Sequence, residues 1–386
     1  MKQIIYFFCI LPVFINAQTI TDVQRLYKDL LSNYTKEVMP TPCTETLDIQ
    51  IGIFIISINY FREVEESLSL TGSFILRWHD PRLKWNPSSY SNMSMLIIDP
   101  INIWLPPLVI INRVDKFESI GDGKKFYLTV DSSGFVGHSP GDVLDVKCIT
   151  DISKFPFDRQ TCTLRLIPYG IQMPYILLKH LFKDEQCQFD YYTPNSDWTL
   201  EKCTQIIDNS IDHSNLYVIV QIKRQPLYYT IMVVFPTFLF GFLNPLVFIV
   251  PVETGERIGL AITLLLSYAI FLTLASASVP ATSNPMCALL IVMVIIITVS
   301  GIILYGTTIT IKYHYKKKTD YIWSPLKGLV RWTSNCQCCC VKTAESAVNV
   351  PVTKDEVVYA LDSLFFYGSY VLMILIGFGY FLYVLI

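Results

Sequence analysis

Charge is what this sequence has least of. Only 16% of its 386 residues are Asp, Glu, Lys or Arg, against about 25% in an ordinary soluble domain. Thirty basic and 32 acidic residues leave a net charge of −2, so no general basic surface attracts nucleic acid. Histidine is scarce too. His79, His138, His180, His213 and His314 form no H-x-x-x-H pair, so the sequence points to no metal site and no cofactor. No internal repeat is present. Aromatic residues make up 13% and hydrophobic residues 52%, which excludes a disordered chain.

The missing charge is missing in blocks. Twenty-eight residues between Arg224 and Glu253 carry none, nor do 54 between Arg257 and Lys312, nor the last 24, Ser363 to Ile386. A helix crosses the hydrocarbon with about 20 apolar residues. The long block is interrupted only by Pro280-Ala281-Thr282-Ser283-Asn284-Pro285, so it holds two spans and a turn. Four spans are predicted, near 228–250, 257–278, 286–311 and 359–385.

Residues 1–17 read as a secretory signal, with Lys2, the apolar run Ile4–Ile15 and a small residue, Ala17, at the cleavage point. His314-Tyr315-Lys316-Lys317-Lys318 follows the third span, and 312–356 holds eight Lys/Arg. Basic loops stay in the cytosol, so the N-terminal domain and the C-terminus are expected outside a plasma membrane crossed four times. The expected domains are a signal at 1–17, an extracellular domain at 18–226, three spans at 227–311, a cytoplasmic loop at 312–357 and the fourth span at 358–386.

The extracellular part begins with a helix. Thr21 and Gln24 have capping-box spacing, and Val23, Leu26, Tyr27, Leu30, Leu31 and Tyr34 keep helical period. From Leu47 to Ile55 the period becomes two. Short apolar runs then recur at 71–78, 96–98, 108–114, 126–130, 143–149, 160–168 and 216–223, which predicts an all-β sandwich. The fold class is therefore an α+β membrane protein, a β-sandwich with an N-terminal helix followed by a four-helix bundle. Asn33-Tyr34-Thr35 and Asn92-Met93-Ser94 are candidate glycosylation sites.

Cysteines divide by compartment. Cys43, Cys148, Cys162, Cys187 and Cys203 lie outside, where disulfides persist. Cys187–Cys203 is one candidate bridge, and Cys43 is left over. Cys336, Cys338, Cys339 and Cys340 lack the paired spacing of a zinc site; lipidation near the bilayer or free thiols suit them better.

At Cys148 a resemblance appears. Cys148-Ile149-Thr150-Asp151-Ile152-Ser153-Lys154-Phe155-Pro156-Phe157-Asp158-Arg159-Gln160-Thr161-Cys162 has 13 residues between its cysteines and Phe-Pro-Phe-Asp within. It resembles the signature of the Cys-loop receptors, the pentameric ligand-gated ion channels. Trp78, Trp85, Trp104-Leu105-Pro106, Arg224-Gln225-Pro226-Leu227-Tyr228 and the four spans occur in the same order, over nearly the whole chain. The second span, Gly255-Glu256-Arg257 through Pro280-Ala281-Thr282-Ser283, is similar to the nicotinic type. The resemblance implies a Cys148–Cys162 bridge, a homo- or hetero-pentamer of like subunits, membrane lipid around it, permeant monovalent cations and a small-molecule agonist of unknown identity. A non-conducting accessory or binding-only subunit is the alternative.

The second span can also be read physically. Gly259, Thr263, Leu266, Ile270, Thr273 and Ala277 are spaced 4, 3, 4, 3 and 4, one face of a 3.6-residue helix. Five copies would make a pore polar at one end and closed by an apolar ring, which can stop ions by dewetting. Glu253 and Glu256 are expected one turn apart at the cytosolic end of this helix, where rings of carboxylates favour cations. Arg257 is expected turned about 100° away. Anion-passing relatives carry Pro-Ala where this chain has Gly255-Glu256.

The ligand box is where the resemblance weakens. Nicotinic receptors hold a quaternary ammonium by cation–π attraction. The corresponding positions here are Ser73, Ile111, Tyr169, Gln205 and His213, and only Tyr169 is a phenyl or indole ring. Ile207-Asp208 stands at the family's vicinal cysteines, and Pro107 where the Trp-x-Pro-Asp motif has its acid. At ~0.5–2 kcal/mol per contact, such losses argue against acetylcholine. For coupling between domains, the resemblance implies Glu63 with Arg224, and Phe155-Pro156-Phe157 against the 279–285 loop containing Pro280.

One enzyme motif competes. Gly137-His138-Ser139-Pro140-Gly141 fits G-x-S-x-G. The residue after the serine must donate its N–H to an oxyanion, and Pro140 has none. No catalytic residue is assigned.

Overall fold

The computed structural model describes residues 19–42, 44–210, 212–278, 285–315 and 353–385. The signal segment, Cys43, Pro280 and the four cysteines between 336 and 340 lie outside these. Two units divide the chain, one of 1–150 with 160–222 and one of 151–159 with 223–386.

The first unit opens with helix α1 (Ile20–Leu31). Its N-cap is Thr19, not Thr21. The Thr19 hydroxyl accepts from the Asp22 N–H, and the Asp22 carboxylate accepts from the Thr19 N–H, so an aspartate closes the box two residues earlier than the Glu/Gln pattern suggested. Leu26 is buried, and Val23, Tyr27, Leu30, Leu31 and Tyr34 pack beside it.

Eleven strands follow among the described residues: β1 (Leu47–Arg62), β2 (Ser67–His79), β3 (Met95–Ile98), β4 (Leu108–Ile110), β5 (Leu128–Asp131), β6 (Phe135–His138), β7 (Gly141–Lys147), β8 (Arg159–Pro168), β9 (Ile176–His180), β10 (Trp198–Asp208) and β11 (Asn215–Arg224). Seven make one sheet, in the order β3-β5-β6-β2-β1-β9 with β7 also on β2; the other sheet runs β10-β11-β8-β4. Ile49, Ile51, Ile53 and Ile55 are fully buried with Leu68, Leu70, Phe74 and Trp78 of β2, the inward row of a two-faced strand pair. Leu164, Leu166, Leu216, Val218, Val220 and Ile222 of the smaller sheet join the same core. Disulfides join Cys148 to Cys162 and Cys187 to Cys203.

Among its described residues the second unit carries four helices long and apolar enough to cross a membrane: α2 (Leu227–Ile249), α3 (Arg257–Ser278), α4 (Ala288–His314) and α5 (Lys354–Leu385). Helix α2 is irregular, with a π turn at Thr230–Val234 and a 3-10 turn at Asn244–Ile249, next to Pro236 and Pro245, which donate no N–H. Helix α5 begins ahead of its apolar run because Thr353 and Glu356 form a capping box. Val233, Tyr268, Met293, Ile296, Met373 and Tyr380 bring all four helices into one core.

Candidate functional site

Helix α3 sorts its residues by face. Arg257, Ala261, Tyr268 and Ala275 are buried. Each of Gly259, Thr263, Leu266, Ile270, Thr273 and Ala277 stands two positions from one of these, about 200° around the helix. All six are exposed, Leu266 at 59% and Ile270 at 55%. The stripe read from spacing therefore lies within the side of α3 that the other three helices leave uncovered, which also carries Leu260, Ile262 and Leu274. Leu264 packs instead beside Val247, Phe248 and Ala261.

At the start of α3 one expectation is corrected. Glu253 lies in a short 3-10 turn, Val252–Thr254, and Gly255 follows at φ +71°. This left-handed residue breaks the helix. Glu253 and Glu256 are thus not one turn apart on α3. Glu256 opens the helix, its carbonyl accepting from the Leu260 N–H at 3.0 Å, and Glu253 stands on the preceding turn. Both side chains are exposed. Arg257 is fully buried and pairs with Asp362 of α5 at 2.8 Å.

Residues 151–159 belong to the membrane-spanning unit. Phe155 is fully buried among Val233, Cys287, Leu289 and Tyr380. Its carbonyl accepts from the Tyr380 hydroxyl at 3.2 Å, and the Ser153 carbonyl from the Ala288 N–H at 3.1 Å. Phe157 is partly buried beside the same cluster. Arg224 is buried, ion-paired with Asp158 at 2.8 Å and stacked over Phe155 at 4.9 Å. Of the expected seat on 279–285, residues 279–284 with Pro280 lie outside the described residues. Glu63 follows β1, in the other unit; its carbonyl accepts from the Thr150 hydroxyl. Asp158, Tyr380 and Asp362 were not singled out from sequence, although Asp158 closes the Phe-Pro-Phe-Asp motif and Asp362 borders the last charge-free run.

The five ligand-box positions divide between the sheets. Ile111 follows β4, Tyr169 follows β8, Gln205 lies on β10 and His213 precedes β11, all strands of the smaller sheet. Ser73 lies on β2 of the larger sheet, its hydroxyl donating to the Pro140 carbonyl at 3.3 Å. Gln205 is buried next to the Cys187–Cys203 bridge and donates to the Gln186 carbonyl at 2.7 Å. Its side chain is buried and presents no surface to solvent. Tyr169 is half exposed, with Phe117 edge-on to it at 4.9 Å. Phe117 sits in an aperiodic loop, so no sequence pattern marked it. The sequons at Asn33 and Asn92 are exposed.

Residues 23–226 match the neurotransmitter-gated ion-channel ligand binding domain, and 233–348 match the neurotransmitter-gated ion-channel transmembrane region. The chain belongs to the neurotransmitter-gated ion-channel family. As a Cys-loop receptor subunit it is similar to a beta-type acetylcholine receptor subunit of Caenorhabditis elegans, 29% identical over 80% of this chain and 61% of that one. An alpha-like acetylcholine receptor subunit of Drosophila melanogaster is 27% identical over 80% and 56%. The acetylcholine receptor delta subunit of Gallus gallus is 27% identical over 75% and 60%. The chain thus spans less than two thirds of these relatives' length. The family is one of ligand-gated channels, not enzymes, and the structure gives the serine motif no elbow. Ser139 and Pro140 interrupt one extended run, since β6 and β7 follow each other along the same strand β2, where the motif's chemistry needs a strand-to-helix turn.

Proposed function

We propose that this chain is a subunit of a cation-selective pentameric channel of the plasma membrane, gated by a small molecule other than acetylcholine. The uncovered stripe of α3 carries the reading, because it runs from Gly259 and Thr263 to an apolar middle at Leu266 and Ile270. A surface of this make suits neighbours of its own kind around a wet axis better than lipid. Glu253 and Glu256, exposed while Arg257 is buried, favour cations. The separation of Ser73 from the other box positions suits a ligand site completed by a neighbouring copy. With Tyr169 and Phe117 as its aromatic pair and Gln205 turned inward, the site lacks the rings that would hold a quaternary ammonium tightly. The N-terminal domain and C-terminus are read as extracellular, from the basic residues after α4. An uncovered, graded stripe favours this reading over a non-conducting accessory subunit.

The test is current recording from cells expressing the chain, with reversal potentials read as Na⁺ and Cl⁻ are varied. Reversal should follow Na⁺, and Glu256→Ala should weaken that preference. Currents that follow the chloride gradient in the unmodified channel would falsify the cation reading.

A further inference from the structure

The side chain of Arg257 is held from three sides. Nε donates to the Val247 carbonyl at 3.0 Å and Nη2 to the Phe248 carbonyl at 2.8 Å, both from the end of α2. Nη1 reaches the Thr310 hydroxyl of α4 at 3.3 Å. The charge is met by Asp362 of α5 at 2.8 Å, and the Phe248 ring lies 5.3 Å away. Phe248 itself stacks on Phe365, one turn along α5 from Asp362, at 5.4 Å.

Taking a guanidinium out of water is costly, and it stays buried only when paired and hydrogen-bonded. The carbonyls and Thr310 supply dipoles, while Asp362 supplies the opposite charge. Arg257 is also next in sequence to Glu256, at the end of α3 where both carboxylates are exposed. A long side chain rooted there has two destinations, the helix bundle or the space in front of α3.

We propose that Asp362 is a positioning residue for ion selectivity, holding the Arg257 charge inside the bundle and off the mouth lined by Glu253 and Glu256. The proposal rests on the pore reading above. Selectivity would then depend on a residue of α5, a helix that contributes nothing to the pore stripe. Five guanidinium groups released to within a Debye length of the axis, ~8 Å, would offset the carboxylates and lower the Na⁺/Cl⁻ permeability ratio about tenfold.

The experiment compares Asp362→Asn with the double variant Arg257→Gln/Asp362→Asn, in a Leu266→Thr background chosen to conduct without ligand. Surface protein is measured alongside reversal potentials in NaCl gradients. Asp362→Asn should lower the permeability ratio about tenfold, and removing both charges should restore it. A purely structural pair would change surface protein and leave the ratio alone. Should Asp362→Asn not reach the surface, Arg257→Lys decides, because it keeps the charge and loses the fork that spans these acceptors. A ratio unchanged in Asp362→Asn, or in Arg257→Lys where that variant decides, overturns the proposal. So does a double variant as impaired as the single one. A ratio that responds to Glu256→Ala but not to these variants sinks the clamp alone, whereas reversal at the chloride potential in the background channel sinks the pore reading itself.

Discussion

Leu266→Thr should open the channel without ligand. Leu266 is the first large apolar residue along the uncovered stripe, one turn beyond Thr263, and 59% of it is exposed in the single chain. That surface is what neighbouring copies would cover in a closed, dry ring. At ~25 cal/mol per Å² of apolar area, exchanging the isobutyl group for a hydroxyethyl group removes ~0.5–1 kcal/mol per subunit. Five subunits lose ~2.5–5 kcal/mol between them, as much as the few kcal/mol that separate two conformational states. The open state loses less, because its ring is already wet. Each ~1.4 kcal/mol moves the closed-to-open ratio tenfold, so a channel closed in 99 of 100 copies would be open about 40% of the time at the lower figure and almost always at the upper. Voltage clamp of expressing cells, with surface protein quantified, reads this as standing cation current. Leu264→Thr is the internal control, since Leu264 packs beside Val247 and Ala261 and should disturb folding without a leak. Equal leak from both variants would mean that the facing of α3 is wrong, and a silent Leu266→Thr channel at the surface would remove Leu266 from the gate.

Breaking the Cys148–Cys162 bridge with Cys148→Ser should cost ~2–5 kcal/mol and reduce surface expression, checked by surface biotinylation; undiminished surface protein would refute this. Burial lowers the pKa of His138 to about 4, below its unfolded value near 6.5. The folded chain therefore binds fewer protons than the unfolded one in that window, and stability is lost as pH falls from about 6.5 to 4, by up to ~3 kcal/mol. Thermal unfolding at pH 7 and pH 5 should show the loss in the parent and not in His138→Gln. Thr19→Ala should destabilise α1 by ~1 kcal/mol, visible as a lower Tm with the transmembrane helix content unchanged. Deglycosylation should shift the mass of the parent protein, and Asn33→Gln and Asn92→Gln should each remove part of that shift.

The parts that were legible in the sequence are those where one physical demand acts alone. Four spans follow from charge exclusion, and the α3 stripe from helical period, because the only choice is which side meets other helices. Strand β1 announced itself because its inward row, Ile49 to Ile55, is unbroken. Strands β6, β9 and β10 did not. Strand β6 has four residues, one of them Gly137, and β9 has five. Strand β10 carries Glu201 and Lys202 and turns Gln205 inward, so alternation of polar and apolar residues fails where a polar side chain is buried against a backbone carbonyl. The ligand positions suffered from the same cause. Alignment placed Gln205 in the box, and only the hydrogen bond to Gln186 shows that it faces away. The Arg257–Asp362 and Arg224–Asp158 pairs were invisible for another reason. They join residues 105 and 66 positions apart, and neither spacing nor composition says which acid a buried arginine will find.

The burial of Phe155 sets an order on synthesis. Its cover includes Tyr380 and Val384, and the bond from the Tyr380 hydroxyl joins residues 225 positions apart. A ribosome adding ~5–20 residues per second reaches that tyrosine roughly ten to fifty seconds after it has made Phe155. The loop closed by Cys148 and Cys162 can therefore be oxidised well before the cover over its tip is complete. Until then the ring has only the cover that earlier residues supply, Arg224, Tyr229, Val233 and Leu289 among them. Shortening the chain before residue 380 would leave the side of the ring that Tyr380 and Val384 cover open for good.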